Sequence, residues 1–308
     1  MVKPLQYLNV LKNSVSAFIS DNAIKLCSSL AFYTIFAIGP FLLVIISIAG
    51  LFFEKQTITL KIYYQIRNLI GEDGAQQVLK IIQNIQLQNS ATKYTIIGIV
   101  ILIIGATGLF TEIQDSINYI FCIRSKPKRG WLQYLRNRVL SFSLVIGLGF
   151  LLMVSLVVNT LADLLTRQLL MFYNGVTLIF FKTLNFILLY ILISSLFAVI
   201  YKVLPDAIIK WKDALIGAGF TGVLFIIGKF LIGYYIGNSS MVLVYGPTAS
   251  LIIILSWVYY SAIILYFGAE FTKEYALKIG GGIEPKKTAV FIIKSGVIEL
   301  PDSSGMQD

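Results

Sequence analysis

Three carboxylates stand where long apolar runs meet charged segments: Glu112 and Asp115 after one run, Glu270 after another. A carboxylate at such a boundary can pair with a cation, hold a proton or act as a gate. The basic loop Arg124, Lys126, Lys128 and Arg129, followed by Arg136 and Arg138, offers partners. The sequence therefore suggests an ion-pair cluster of these acids with Arg124, Arg129 or Arg136, or alternatively a gate or proton site. Lys229 is the one cation inside a long apolar run, sixteen residues beyond Asp213. That spacing places it about 24 Å along a helix, near enough to the far interface for its ammonium to reach water.

Other chemistry is excluded by residue type. The chain has no His, which removes the commonest general base and zinc ligand. Cys27 and Cys122 are lone thiols, so neither a disulfide nor a metal cluster is expected. No phosphate-binding glycine loop, paired catalytic carboxylates or nucleophile triad is present, and we expect no enzyme, cofactor or metal. The loop 124–138, with Trp131 and Tyr134, has the composition of a nucleic-acid patch. Its position between apolar runs fits lipid headgroup contact better, so Arg124, Lys126, Lys128 and Arg129 are read as headgroup contacts and nucleic acid is not an expected partner.

The elements that position these residues are membrane helices. Hydrophobic residues make up 57% of the 308 and charged ones only 13%, half the charge of a soluble chain. The forty residues Phe230 to Ala269 carry no charge. One helix of that length would run about 60 Å, twice the hydrocarbon thickness, so the chain must turn back near 237–247. The expected fold is all-α: six transmembrane spans, at 30–53, 94–110, 139–162, 183–201, 214–235 and 248–269. An amphipathic segment, 1–29, lies on the membrane surface and a short tail follows from 272 to 308. Residues 54–93 and 163–182 read as amphipathic surface helices that cannot span. Gly39-Pro40 should kink or break the first span. Ala214, Ala218 and Gly222 mark a small-residue packing face. The net charge of +10 is distributed as membrane topology requires: 17 Lys and Arg fall on one side of this map and 7 on the other, which puts both termini in the cytosol.

Leu30-Ala31-Phe32-Tyr33-Thr34-Ile35-Phe36 with Gly39-Pro40-Phe41-Leu42 resembles the first-span signature of the YihY/BrkB family. Tyr245-Gly246, Trp257-Val258-Tyr259-Tyr260 and Phe267-Gly268-Ala269-Glu270-Phe271 are similar to its last span, and Ile70-Gly71, Ala75 and Gln77 to its outer loop. The resemblance covers about residues 10–280; Ala37 stands where many members have serine. It implies a six-span inner-membrane protein, linked to envelope phenotypes and suspected of lipid or small-molecule transport. An older ribonuclease BN label also follows that family, and the absence of His argues against it.

The expected function is transport of lipid-like or other envelope substrates across the inner membrane, with a non-transporting scaffold as the alternative. Membrane lipids are the expected partners; the substrate and the oligomeric state are left open. Tyr33, Thr34, Gly39 and Pro40 should line a cavity, with Glu112, Lys229 and Glu270 as cavity or gate residues, because freed carbonyls and hydroxyls in lipid need protein or water partners.

Overall fold

The computed structural model describes residues 4–49, 108–126, 176–237 and 249–294, with ten single positions between 59 and 83. Six helices appear among them. They are α1 (Pro4–Ser20), α2 (Ala23–Ala49), α3 (residues 108–120), α4 (Val176–Val203), α5 (Trp211–Gly237) and α6 (Ala249–Lys278). Four short strands complete the described fold: β1 (Ile123–Ser125), β2 (Ala207–Ile209), β3 (Ile283–Pro285) and β4 (Ala289–Phe291). The chain is thus mostly helical.

Helix α6 is the hub. It packs against α1, α2 and α5, while α4 packs on α5 and reaches α6 through Tyr201. Three stretches are long and apolar enough to cross a bilayer: Phe186–Val203, Trp211–Tyr235 and Ile252–Lys278. They coincide with the expected fourth, fifth and sixth spans. Of the second span only residues 108–110 are described, and they are helical; the third span lies outside the described residues. The ten positions between 59 and 83 are all helical, as the periodicity of that loop implies.

Two expectations change. Helix α2 runs unbroken through Gly39-Pro40. Proline withholds one N–H, from the Phe36 carbonyl, and a 27-residue helix carries that single loss. Residues 1–29 are not one surface helix either. They divide at Asp21-Asn22, where Asn22 adopts the left-handed conformation that Asn tolerates (φ 51°), and α2 begins at Ala23. Helix α1 docks on α6, with Val10 enclosed beside Phe271 and Tyr275 and Phe18 edge-on to Phe267. Its other side leaves Leu8, Leu11, Val15 and Ile19 exposed.

Small residues set the close helix approaches, as packing in lipid demands. Ala214 and Ala218 are fully enclosed. A methyl added at Gly217 would lie 1.9 Å from Thr272 Oγ1, and one at Gly268 2.0 Å from Thr221 Oγ1. Gly222 is as tight against Ser194 of α4, at 2.3 Å. Across the same seam Tyr201 donates to the Leu265 carbonyl at 2.8 Å and shares a hydrogen bond with Thr221.

The strands tie the last residues into this bundle. Helix α6 continues past the expected end of its span to Lys278 and closes on Gly280–Gly282: the Gly280 N–H bonds the Tyr275 carbonyl and the Gly282 N–H that of Ala276. Gly282 takes φ +79°, open to glycine at no steric cost. β3 then pairs antiparallel with β2, Ile283 opposite Ile209, and β4 with β1, Ser125 opposite Ala289. The α1–α2 corner, the α3–β1 segment, the α4–α5 connection and the tail therefore meet at one end of the bundle. These are the four segments that charge counting assigned to a single side.

Candidate functional site

Glu270 and Lys273 lie three residues apart on α6, hence on one face. The Lys273 ammonium contacts the Glu270 carboxylate and stands 3.8 Å from that of Asp21, at the α1–α2 corner. Lys294, from the tail, completes the row by pairing with Asp21, its ammonium 4.3 Å above the Tyr119 ring. The groups are deeply placed: Glu270 is 0% exposed, Asp21 and Lys273 each 7%. Two acids and two bases balance, so the row is neutral. The balance is incomplete at Glu270. Lys273 meets it through Oε2, and Oε1 receives no hydrogen bond. A buried carboxylate in that condition has lost its hydration without full replacement.

A second arrangement lies where α2, α3 and α6 meet. Gly108, Glu112 and Ser116 recur every four residues on α3 and so share a face. A methyl at Gly108 would be 3.2 Å from the Tyr33 ring of α2. Ser116, itself buried, lies beside the Tyr266 hydroxyl of α6, and Glu112 is close enough for its charge to bear on that hydroxyl. Tyr266 is wholly enclosed, and the Ser116 hydroxyl is the group positioned to hydrogen-bond with it. Asp115, one turn from Glu112, is held above the ordinary carboxylate range by partial burial, and the Glu112 and Asp206 charges add to this.

A third polar group is fully bonded. Asp206, between α4 and β2, accepts from Asn118 at 3.2 Å, Ser125 at 2.5 Å and Gln114 at 3.4 Å. Its own N–H donates to Asn118 Oδ1 at 2.7 Å and its carbonyl accepts from the Lys286 N–H. Asp213, in the first turn of α5 where a negative charge suits the helix dipole, accepts the Gly281 N–H at 2.8 Å.

The expected site residues divide accordingly. Among the described residues Glu270 pairs with Lys273 of its own helix; of its expected partners Arg124 is exposed, and Arg129 and Arg136 lie outside the described residues. The i, i+3 spacing was visible in sequence, whereas Asp21 and Lys294 come from 249 residues before and 24 after Glu270 and meet only through the fold. Glu112 and Tyr33 are brought to the two sides of Gly108. Thr34 donates to the Leu30 carbonyl at 2.8 Å, so its hydroxyl is satisfied within α2. Gly39 and Pro40 are helical. Lys229 is on α5, about 24 Å from its Asp213 end, and does not join the Glu270 group. Arg124, within β1, and Lys126, just after it, are exposed; Lys128 and Arg129 lie outside the described residues. Among the described residues no three His, Cys, Asp or Glu side chains could hold a metal ion.

Comparison with known proteins gives one family. A family model described as virulence factor BrkB matches residues 14–291. A UPF0761 membrane protein of Delftia acidovorans is 29% identical over 82% of this chain and 59% of its own length. One of Tolumonas auensis is 30% identical over 59% of this chain and 58% of its own. For one of Vibrio vulnificus the figures are 30%, 79% and 74%. The chain thus spans under three fifths of the first two relatives. No solved structure matches it.

Proposed function

The chain belongs to the BrkB family of membrane proteins, and from that premise we propose that it is a multi-pass inner-membrane transporter of lipid-like or other envelope-related substrates. In this reading the Glu270–Lys273–Asp21–Lys294 row is the cytosolic gate, and the chain is not an enzyme. The supporting observation is Glu270, a fully enclosed carboxylate met by one ammonium, that of Lys273 at Oε2, while Oε1 receives no hydrogen bond. A row built only to hold helices together gains from bonding every oxygen. One that must part and re-form gains from a partner it can exchange. An anionic headgroup arriving at this end could take Lys273 from Glu270, the exposed Arg124 and Lys126 drawing it there.

The test is reconstitution into liposomes holding a fluorescent headgroup-labelled phospholipid, with a membrane-impermeant quencher outside. Movement of the label between leaflets should be faster than in protein-free liposomes, and Glu270→Gln should slow it at least tenfold while the protein elutes normally on size exclusion. Wild-type protein that moves the label no faster than empty liposomes sinks the lipid reading. The alternative, a non-transporting scaffold, draws on the tight contacts at Gly217, Gly222 and Gly268, which suit a bundle that holds one shape.

A further inference from the structure

We propose that α1 is seated in the bilayer leaflet at the strand-bearing end of the bundle, with its apolar open face against acyl chains and its polar face toward water. Helix α1 has three faces. At about 100° per residue, Val10, Ser14 and Phe18 fall on the side docked to α6. Val10 and Ser14 are fully enclosed, and the Ser14 hydroxyl is satisfied by the Val10 carbonyl at 2.8 Å. Leu8, Leu11, Val15 and Ile19 occupy the next arc, about 80° wide. All four are exposed, Ile19 at 68% and Leu8 at 63%. Lys12, Ser16, Asn9 and Ser20 fill the arc beyond and are exposed as well.

Where α1 docks decides what covers the apolar arc. Tyr7 stacks on Tyr275 at 6.1 Å, and Phe18 meets Phe267 edge-on at 5.8 Å. As α1 is followed forward α6 is met backward, so the two run antiparallel along residues 267–275, about 12 Å of α6. That stretch lies inside Ile252–Lys278, which is long and apolar enough to cross a bilayer. The open apolar arc of α1 is thus level with lipid. The polar arc turns the other way: the Asn13 amide stands against the ammonium of Lys278, the last residue of α6. A helix held clear of the membrane has water on both open sides, and nothing then favours four exposed aliphatic side chains gathered on one of them. At the headgroup boundary the same division is the stable one, with Lys12 at the border between the arcs, where anionic phosphates lie. The face therefore selects a lipid surface as its occupant, whether or not the chain moves lipid.

The experiment uses the full chain in cells whose phospholipids carry radioactive phosphate. The photoreactive residue p-benzoylphenylalanine replaces Val15, Ile19, Asn9 or Ser16, one at a time. The same replacement at Phe230, exposed on the apolar stretch Trp211–Tyr235, is the lipid-facing benchmark. After irradiation of intact membranes the chain is purified under denaturing conditions and its light-dependent label is counted. Positions 15 and 19 should capture at least fivefold more phospholipid than positions 9 and 16, and approach the level at 230. Two results overturn the proposal. One is label at 15 and 19 no higher than at 9 while 230 is labelled. The other is a crosslinked product of higher protein mass at 15 and 19, which would make the arc the seat of a second copy of this chain or of another protein.

Discussion

Asp206 and Glu270 sit at the same end of the bundle and are treated in opposite ways. Asp206 is half-buried and accepts from three side chains drawn from α3 and the residue that opens the β1–β4 ladder. Glu270 is wholly enclosed, and Lys273 meets one of its oxygens while the other accepts no hydrogen bond. Solvation alone would predict the reverse, since the deeper carboxylate needs the more donors. The difference separates two tasks. Asp206 joins three segments of chain, and each bond it accepts fixes one of them. Glu270 rests on a single ammonium, a contact that can be exchanged without leaving several donors stranded.

The comparison is broken most directly at Lys273. Lys273→Ala removes the counter-charge from Glu270 and leaves Asp21 with Lys294 only. Deleting one partner of a buried pair is unfavourable by about 3–5 kcal/mol, so a large fall in unfolding midpoint is expected by fluorescence-detected size exclusion. Adding Glu270→Gln to this variant should recover more than half of the loss. Additive losses in the double variant would mean that Lys273 and Glu270 do not act as a pair.

Asp206→Ala should come next, at roughly 2–3 kcal/mol, because it strands the Asn118 amide and frees Gln114 and Ser125. Its signature differs as well as its size. The strands near it should loosen first, so proteolysis between 282 and 294 should accelerate in Asp206→Ala and remain slow in Glu270→Gln. Equal cleavage rates in the two variants would erase the distinction between the clusters.

How much of this was legible in the sequence depends on range. Spans at 183–201, 214–235 and 248–269 rest on composition over some twenty residues, and helices α4, α5 and α6 occupy them. The small-residue face of α5 was visible for the same reason: four-residue spacing needs no partner to be recognised. The strands of the tail are not legible, because three-residue strands such as Ile283–Pro285 carry no period of their own. They exist by pairing with β1 and β2, which are far away in sequence. Glu270 was singled out for its position, but its partners were sought in the nearest basic loop. Lys273 lay one turn away, and Asp21 owes its place to the turn at Asn22. Tyr266 gave no signal, since an aromatic in an apolar run is ordinary until its hydroxyl is found enclosed.

The mildest test lies between the two clusters, at Asp115. Its carboxyl is held above the ordinary carboxylate value by partial burial, with the charges of Glu112 and Asp206 adding to the effect. The sign follows from proton linkage. Between the ordinary value and the raised one the folded chain binds more protons than the unfolded chain, so stability falls as pH rises through that interval and stays lower above it. Asp115→Asn removes the slope. At neutral pH it should therefore stabilise, and because Asp115 is partly open to solvent the gain should be roughly 0.3 kcal/mol, the scale of exposed charge pairs. Below the ordinary carboxylate value the two proteins should unfold together. Glu112→Gln removes one of the two charges acting on Asp115, so the gain from Asp115→Asn should shrink in that background. A gain indifferent to Glu112→Gln would assign the repulsion at Asp115 to Asp206 and not to Glu112.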